Sequence, residues 1–95
     1  MKIQDYLKQC NVGSVDELTD EQVIAYYDYP DVYVGQKCAV SVAMNFGRAS
    51  GFTKQEIMAS IRKSLSTGIE FRFYYITGES ANGPSEIKSR WVMEP

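Results

Sequence analysis

Residues 51–71 read GFTKQEIMASIRKSLSTGIEF, and this stretch decides how the chain folds. Thr53 and Glu56 have the spacing of a capping box, in which each side chain accepts a hydrogen bond from the other residue's backbone N–H. Gly68 is a natural helix stop, because glycine adopts the left-handed conformation without steric cost. The stretch therefore predicts a helix over residues 53–67, followed by a strand. Its apolar residues recur at every fourth position, as on the buried face of an amphipathic helix: Ile57, Ile61 and Leu65.

The sequence upstream predicts a second capped helix. Thr19 and Gln22 repeat the spacing of a capping box. The helix that they begin must end near Tyr29, because Pro30 disfavours the α conformation in the residue before it. Residues 32–34, VYV, are β-branched or aromatic and predict a short strand stub.

Two further segments are interpreted as helices. Residues 37–46 are rich in Ala, Val and Met and do not alternate strictly between apolar and polar side chains, so we predict a buried helix there. Near the N-terminus, apolar residues at i, i+3, i+4 and i+7 predict one face of a short helix: Ile3, Tyr6, Leu7 and Cys10.

The last third of the chain predicts two antiparallel strands joined by a loop. The loop is residues 78–84, GESANGP, with Asn-Gly near its tip. Charged residues alternate with apolar ones on both strands, so one face of the sheet is expected to be solvated. The apolar side chains that share one face of the first strand are Ile69, Phe71, Phe73 and Tyr75, and those of the second strand are Ile87, Trp91 and Met93.

Together these elements predict one small α+β domain, with three to four helices followed by a C-terminal two-stranded antiparallel hairpin. A chain of 95 residues suits a single hydrophobic core. We divide it into an N-terminal helix (1–13), a helical region (14–51), the capped helix (52–68) and the hairpin (69–95).

The composition argues against an enzyme, a metal site and a membrane protein. The chain has no histidine for a Ser–His or Cys–His pair, no G-x-x-x-x-G-K-[ST] or G-x-G-x-x-G motif and no close cluster of metal ligands, so no metal and no cofactor is expected. The glycine-rich turn FGRASG, residues 46–51, could hold a phosphate or simply connect two helices. The longest uncharged run, residues 38–47, is about half of a membrane span. The N-terminus lacks the apolar region of a signal peptide, so a cytoplasmic location is expected. Cys10 and Cys38 could be reduced thiols or one disulfide.

The charges are distributed unevenly. Residues 1–34 carry two cations and seven anions, whereas residues 35–95 carry eight cations and five anions. A folded domain with this sequence has an acidic end and a mildly basic end, which produces a directional electric field. The alternative is that both ends are ordinary solvated surface.

The order of elements resembles the winged helix-turn-helix superfamily. The resemblance rests on residues 43–65, AMNFGRASGFTKQEIMASIRKSL, as the helix-turn-helix, and on residues 65–93, LSTGIEFRFYYITGESANGPSEIKSRWVM, as the last helix, strand, wing and strand. It implies that helix 53–67 enters the major groove of duplex DNA and that hairpin 69–93 contacts the backbone or the minor groove. It also implies possible dimer contacts through the N-terminal helix, where Ile3, Tyr6 and Leu7 could pair two copies or simply complete the core.

If the resemblance holds, the nucleic-acid contacts come from polar side chains on the helix and cations around it. Glutamine can bind adenine in a bidentate manner, and arginine or lysine can reach guanine or phosphate. The predicted nucleic-acid-binding residues are Arg48, Lys54, Gln55, Arg62, Lys63, Lys88 and Arg90.

An alternative hypothesis is a small inhibitor or adaptor that binds a partner protein, in the manner of phage or plasmid proteins whose acidic surface imitates nucleic acid. The segment YYDYPDVY concentrates tyrosines beside carboxylates, and tyrosine is enriched at interface hot spots. We expect about half of these tyrosines to lie in the core instead. The exposed edge of the hairpin offers a partner a further route, strand addition. The residues of this predicted surface are Tyr26, Tyr27, Asp28, Tyr29, Asp31 and Tyr33.

Overall fold

A computed structural model describes residues 1–77 and 90–95 of the chain. It confirms the predicted α+β class, with four helices followed by a two-stranded antiparallel hairpin. A single 3₁₀ turn, Val15–Glu17, lies between the first two helices. The elements are α1 (Ile3–Gln9), α2 (Asp20–Tyr26), α3 (Val34–Phe46), α4 (Lys54–Thr67), β1 (Arg72–Ile76) and β2 (Arg90–Glu94).

Both predicted capping boxes are confirmed. Gln22 N donates to Thr19 Oγ1 at 3.1 Å, and Thr19 N donates to Gln22 Oε1 at 2.9 Å. At α4, Glu56 N donates to Thr53 Oγ1 at 3.1 Å, and Thr53 N donates to Glu56 Oε1 at 3.0 Å. Gly68 follows α4 with φ of 75°, the left-handed conformation that makes glycine the natural stop there.

Replacing Thr53 by alanine removes the side-chain acceptor at the start of α4. We expect Thr53→Ala to lower the free energy of unfolding by about 1 kcal/mol. Chemical denaturation followed by circular dichroism measures this loss. Ser66→Ala, at an exposed position in the last turn of the same helix, is the control and should be close to neutral. Equal effects of the two substitutions would contradict the capping role.

The core forms where α4 packs against α2, α3 and β2, while α3 packs against β1. On α4 the buried residues are Ile57, Met58, Ile61 and Ser64, which agrees with the predicted apolar face. Gly47, directly after α3, lies close to Ile57 of α4. A Cβ atom at this position would lie only 2.6 Å from Ile57 Cδ1. Glycine at this position therefore permits the close approach of the two helices.

The N-terminal helix completes the core. Tyr6 is buried, and its hydroxyl donates to the Gln22 carbonyl oxygen at 2.7 Å. Its ring lies 5.2 Å from that of Tyr26, and Ile3 and Leu7 pack against the same cluster. The apolar side chains of this helix therefore pack against the core, and the dimer contact considered for them stays a prediction.

The predicted strand stub at residues 32–34 is wrong. Val34 is the first residue of α3, which begins three residues before the predicted start. The contact with the start of β1 is made by a side chain and not by a strand. Gln36 Nε2 donates to the carbonyl oxygen of Phe71, the residue before β1, at 3.2 Å, and Phe71 N donates to Gln36 Oε1 at 3.0 Å. The predicted end of α2 near Tyr29 is three residues too late, because the chain turns after Tyr26.

In the sheet, Phe73 is opposite Met93, and Tyr75 is opposite Trp91. The rings of Phe73 and Trp91 stack at 4.7 Å. The predicted inner face of β1 is only partly buried: Phe71 and Phe73 lie in the core, whereas Tyr75 and Ile69 are exposed. The predicted loop 78–84 and the predicted positions of Ile87 and Lys88 lie outside the described residues.

Candidate binding surfaces

The cationic side of α4 is partly neutralised by the N-terminus of α2. Arg62 Nη1 lies 2.8 Å from Asp20 Oδ1, and Arg62 Nη2 donates to the Leu18 carbonyl oxygen at 2.8 Å. Only 21% of the Arg62 side chain is exposed. Lys54 Nζ lies 3.9 Å from the other oxygen of the Asp20 carboxylate. Two of the cations predicted to contact nucleic acid therefore face a carboxylate of the same molecule.

A second carboxylate adds to the negative charge beside α4. Asp16 and Asp20 line one wall of a cleft of about 530 Å³, whose other wall is α4, including Lys54 and Lys63. A phosphate approaching this side of α4 meets both carboxylates, and like charges at close range repel.

The other predicted nucleic-acid contacts that the structure describes are exposed and lie on three different parts of the fold. Gln55 and Lys63 are exposed on α4 itself. Arg48, in the turn before the helix, and Arg90, at the start of β2, are also exposed. Lys88 lies outside the described residues. The helix thus offers one exposed cation that has no ion-pair partner among the described residues, Lys63.

The predicted tyrosine-rich surface is divided by the fold. Tyr26 and Tyr27 are buried in the core, and Tyr29 is half-buried beside Tyr6. Asp28 is exposed, and Asp31 forms an ion pair with the Met1 ammonium group. Tyr26 and Tyr27 therefore cannot act as surface contacts, which corrects that part of the prediction.

Tyr33, the remaining member of that set, lies on a different surface. It is 67% exposed and lines a groove of about 590 Å³ between the start of α3 and β1. The opposite wall is β1 with the residues before it, 70–74, and no described residue of β2 lines the groove. The groove therefore runs along the edge of β1 that has no strand partner among the described residues. We call Tyr33 and residues 73–77 the edge surface.

The edge surface combines aromatic side chains with free backbone groups. Tyr74 and Tyr75 are exposed, the latter to 51%. Along a strand, alternate residues direct their N–H and C=O groups to the same edge. The Phe71 groups face Gln36, so those of Phe73 and Tyr75 point to that edge as well, away from β2. The N–H and C=O groups of Phe73 and Tyr75 have no side-chain hydrogen-bond partner among the described residues.

Tyr27 holds a buried hydroxyl that has no hydrogen-bond partner among the described residues. Removing that hydroxyl in Tyr27→Phe is expected to raise the free energy of unfolding at neutral pH by about 1 kcal/mol, because the desolvation of the hydroxyl is uncompensated. Tyr26→Phe is the matched control. The Tyr26 hydroxyl donates to the Met1 carbonyl oxygen at 2.7 Å, so its loss should cost about 1 kcal/mol. The same sign for both substitutions would contradict this assignment.

The same pair of variants tests the pH dependence of stability. Burial, with a smaller contribution from Tyr26, raises the pKa of Tyr27 from 10.0 to about 12, and the nearby Ser64 hydroxyl opposes this rise. Between these values the unfolded chain releases the proton while the folded chain retains it, so stability falls as pH rises from about 10 to 12. Denaturation midpoints should show a shallower fall in Tyr27→Phe than in the wild type. Part of the slope remains in Tyr27→Phe, because burial also raises the pKa of Tyr6 to about 12 and raises the pKa of Tyr26.

Other kinds of site find little support in the described part of the chain. There, no group of three or more metal-ligating side chains comes together, and Cys10 and Cys38 are both free thiols. Within residues 1–77 and 90–95, no helix has the length and apolar character needed to cross a membrane.

Comparison with known proteins identifies no relative. No family model matches this chain, and neither a curated protein nor a solved structure matches it. The likeness to the winged helix-turn-helix layout therefore stays a prediction, and the function has to be argued from the surfaces themselves.

Proposed function

We propose that this protein is a non-enzymatic module that binds another polypeptide chain through the edge surface. The observation that carries the proposal is the open edge of β1, where the backbone groups of Phe73 and Tyr75 have no described partner and exposed aromatic rings stand beside them. A partner that adds an extended strand there gains main-chain hydrogen bonds from the edge. It also gains contact area from tyrosine, a residue that is frequent at interface hot spots.

Charge supports a protein partner over duplex nucleic acid. The edge surface itself carries no charged side chain, because residues 73–77 read FYYIT. Nucleic-acid affinity depends mainly on cations that neutralise phosphates. Arg62, the best placed cation of α4, already binds Asp20 and the Leu18 carbonyl oxygen.

The proposal is tested with two matched variants of the full chain. Tyr33→Ser/Tyr75→Lys alters the edge surface, and Gln55→Ala/Lys63→Ala alters the exposed side of α4. A protein captured by the wild type is identified, purified and titrated against all three forms. We expect the edge variant to lose about tenfold or more in affinity, or about 1.4 kcal/mol, and the α4 variant to bind normally.

The titration is accompanied by hydrogen exchange, which should show slower exchange at the Phe73 and Tyr75 amides in the complex. A partner that needs Gln55 and Lys63 but tolerates the edge variant would overturn the proposal. So would a complex in which those two amides exchange as fast as in the free protein.

Duplex nucleic acid is the second candidate function. The observation in its favour is that Gln55 and Lys63 are exposed together on α4, with Arg48 and Arg90 also exposed. Fluorescence anisotropy of a labelled mixed-sequence duplex, at low and at moderate salt, tests it. Binding that weakens with salt and with Lys63→Ala, but not with the control Lys8→Ala on α1, would favour nucleic acid. No binding at low salt would exclude it.

A further inference from the structure

We infer that the occupant of the edge surface is a second copy of this chain, so that two molecules join their β1 strands in one antiparallel four-stranded sheet. This inference rests on the proposed function, since it names the partner that the same surface takes. The order of strands across the sheet would be β2–β1–β1–β2, with a two-fold axis between the two β1 strands.

In the part of the chain that the structure describes, the edge lacks the devices by which proteins usually prevent strand pairing. Exposed edges are commonly protected by charged side chains, prolines or a covering element. Residues 73–77 contain no charge and no proline, and three of the five are tyrosine or phenylalanine. Glu70 and Arg72 precede this segment, at the end where α3 already lies against β1. An unprotected edge of this kind requires a partner or invites aggregation.

The position of α3 limits how a strand can be added. The Gln36 side chain occupies the backbone groups of Phe71, so an added strand can pair only from Phe73 onwards. In an antiparallel arrangement centred on Tyr75, residues 73–77 of one copy lie opposite residues 77–73 of the other. In this register α3 of each copy lies at the opposite end of the paired segment from α3 of the other copy, so the two helices do not collide.

The side chains that would face each other across the two β1 strands are also compatible with pairing. In this register Tyr74 lies opposite Ile76 of the partner subunit, and aromatic residues paired with β-branched ones stabilise sheets. Outward groups of Phe73, Tyr75 and Thr77 would form about six hydrogen bonds between the copies. No charged side chain of residues 73–77 faces a like charge. A peptide from another protein would need a sequence of its own that suits this short neutral segment. A second copy presents the same neutral segment, and a two-fold axis pairs it with the first.

The two-fold axis makes a specific prediction about position 75, because it places this residue opposite itself. Tyr75→Lys and Tyr75→Glu should each place like charges across the interface and weaken self-association by about tenfold or more. An equal mixture of the two variants places lysine opposite glutamate and should restore a dimer. Ala49→Glu, an exposed change outside the edge surface, is the control and should leave association unchanged.

Sedimentation equilibrium over a range of concentrations measures the mass, and circular dichroism checks that each variant is folded. Hydrogen exchange in the wild type gives a second readout, since the Phe73 and Tyr75 amides should be protected at high concentration and lose protection on dilution. A wild type that is monomeric at all concentrations would overturn the inference, while the protein-binding proposal would still be decided by its own titration. A dimer that is indifferent to both charges at position 75, or a mixture that stays monomeric, would also overturn it.

Discussion

Ile61→Ala is expected to lower the free energy of unfolding by about 2–5 kcal/mol. Ile61 is at the centre of the α4 apolar face, is 0% exposed and belongs to the same cluster as Val23 and Phe71. Truncation removes buried methyl and methylene groups and leaves a cavity that close-packed neighbours fill only in part. Small domains are marginally stable, so a loss of this size removes a large share of the total.

Urea denaturation measures the loss, with the fluorescence of the single tryptophan as the probe. That residue, Trp91, stacks on Phe73 and so reports on the packing of the sheet against the core. Leu65→Ala on the same face is the graded control, because Leu65 is half-buried and its truncation should cost clearly less. A loss below about 0.5 kcal/mol for Ile61→Ala would be the behaviour of a surface residue and would contradict the packing of α4.

The features that could be predicted from the sequence are those fixed by neighbours along the chain. The capping boxes at Thr19 and Thr53 join residues three positions apart, and the stop at Gly68 needs only one residue's backbone freedom. The apolar spacing of α4 and the alternation along β1 likewise follow from the periods of helix and strand. These local patterns were sufficient for the order of elements, with the exception of residues 32–34.

The features that could not be predicted depend on contacts between distant parts of the chain. Residues 32–34 have the composition of a strand, but their neighbour Gln36 pairs with Phe71 by its side chain, and no local pattern indicates this. The tyrosines of YYDYPDVY look equivalent in sequence, yet Tyr27 is buried while Tyr33 is exposed. The open edge of β1 is likewise a property of the assembled fold, because it depends on which strand lies beside it.

Arg62→Ala is the second substitution expected to have a large effect, of about 1.5–3 kcal/mol in the free energy of unfolding. The guanidinium group ties α4 to the start of α2 through two contacts at 2.8 Å, one with the Asp20 carboxylate and one with the Leu18 carbonyl oxygen. Hydrogen bonds to charged groups are stronger than neutral ones, and this side chain is largely shielded from water. Truncation also leaves Asp20 with only the more distant Lys54 as a cationic neighbour.

The neighbouring residue supplies a closely matched control. Lys63 carries the same charge one position further along α4, but it is exposed and has no ion-pair partner among the described residues. Lys63→Ala should therefore change the free energy of unfolding by no more than about 0.5 kcal/mol. A double-mutant cycle of Arg62→Ala with Asp20→Ala should give a coupling energy of about 0.5–3 kcal/mol, because the two side chains are in direct contact.

The difference in stability between Arg62→Ala and Lys63→Ala bears directly on function. If Arg62→Ala costs as little as Lys63→Ala and shows no coupling to Asp20, the guanidinium group is free in solution. Arg62 would then be available to a phosphate, and the case for duplex nucleic acid would regain its best placed cation. If the predicted loss is found, the Arg62 side chain joins α2 to α4 and stabilises the fold. A combined change at positions 62 and 63 would then destabilise the protein, so a loss of binding could not be separated from unfolding. The exposed residues Gln55 and Lys63, altered without Arg62, can then test a nucleic-acid role for this helix.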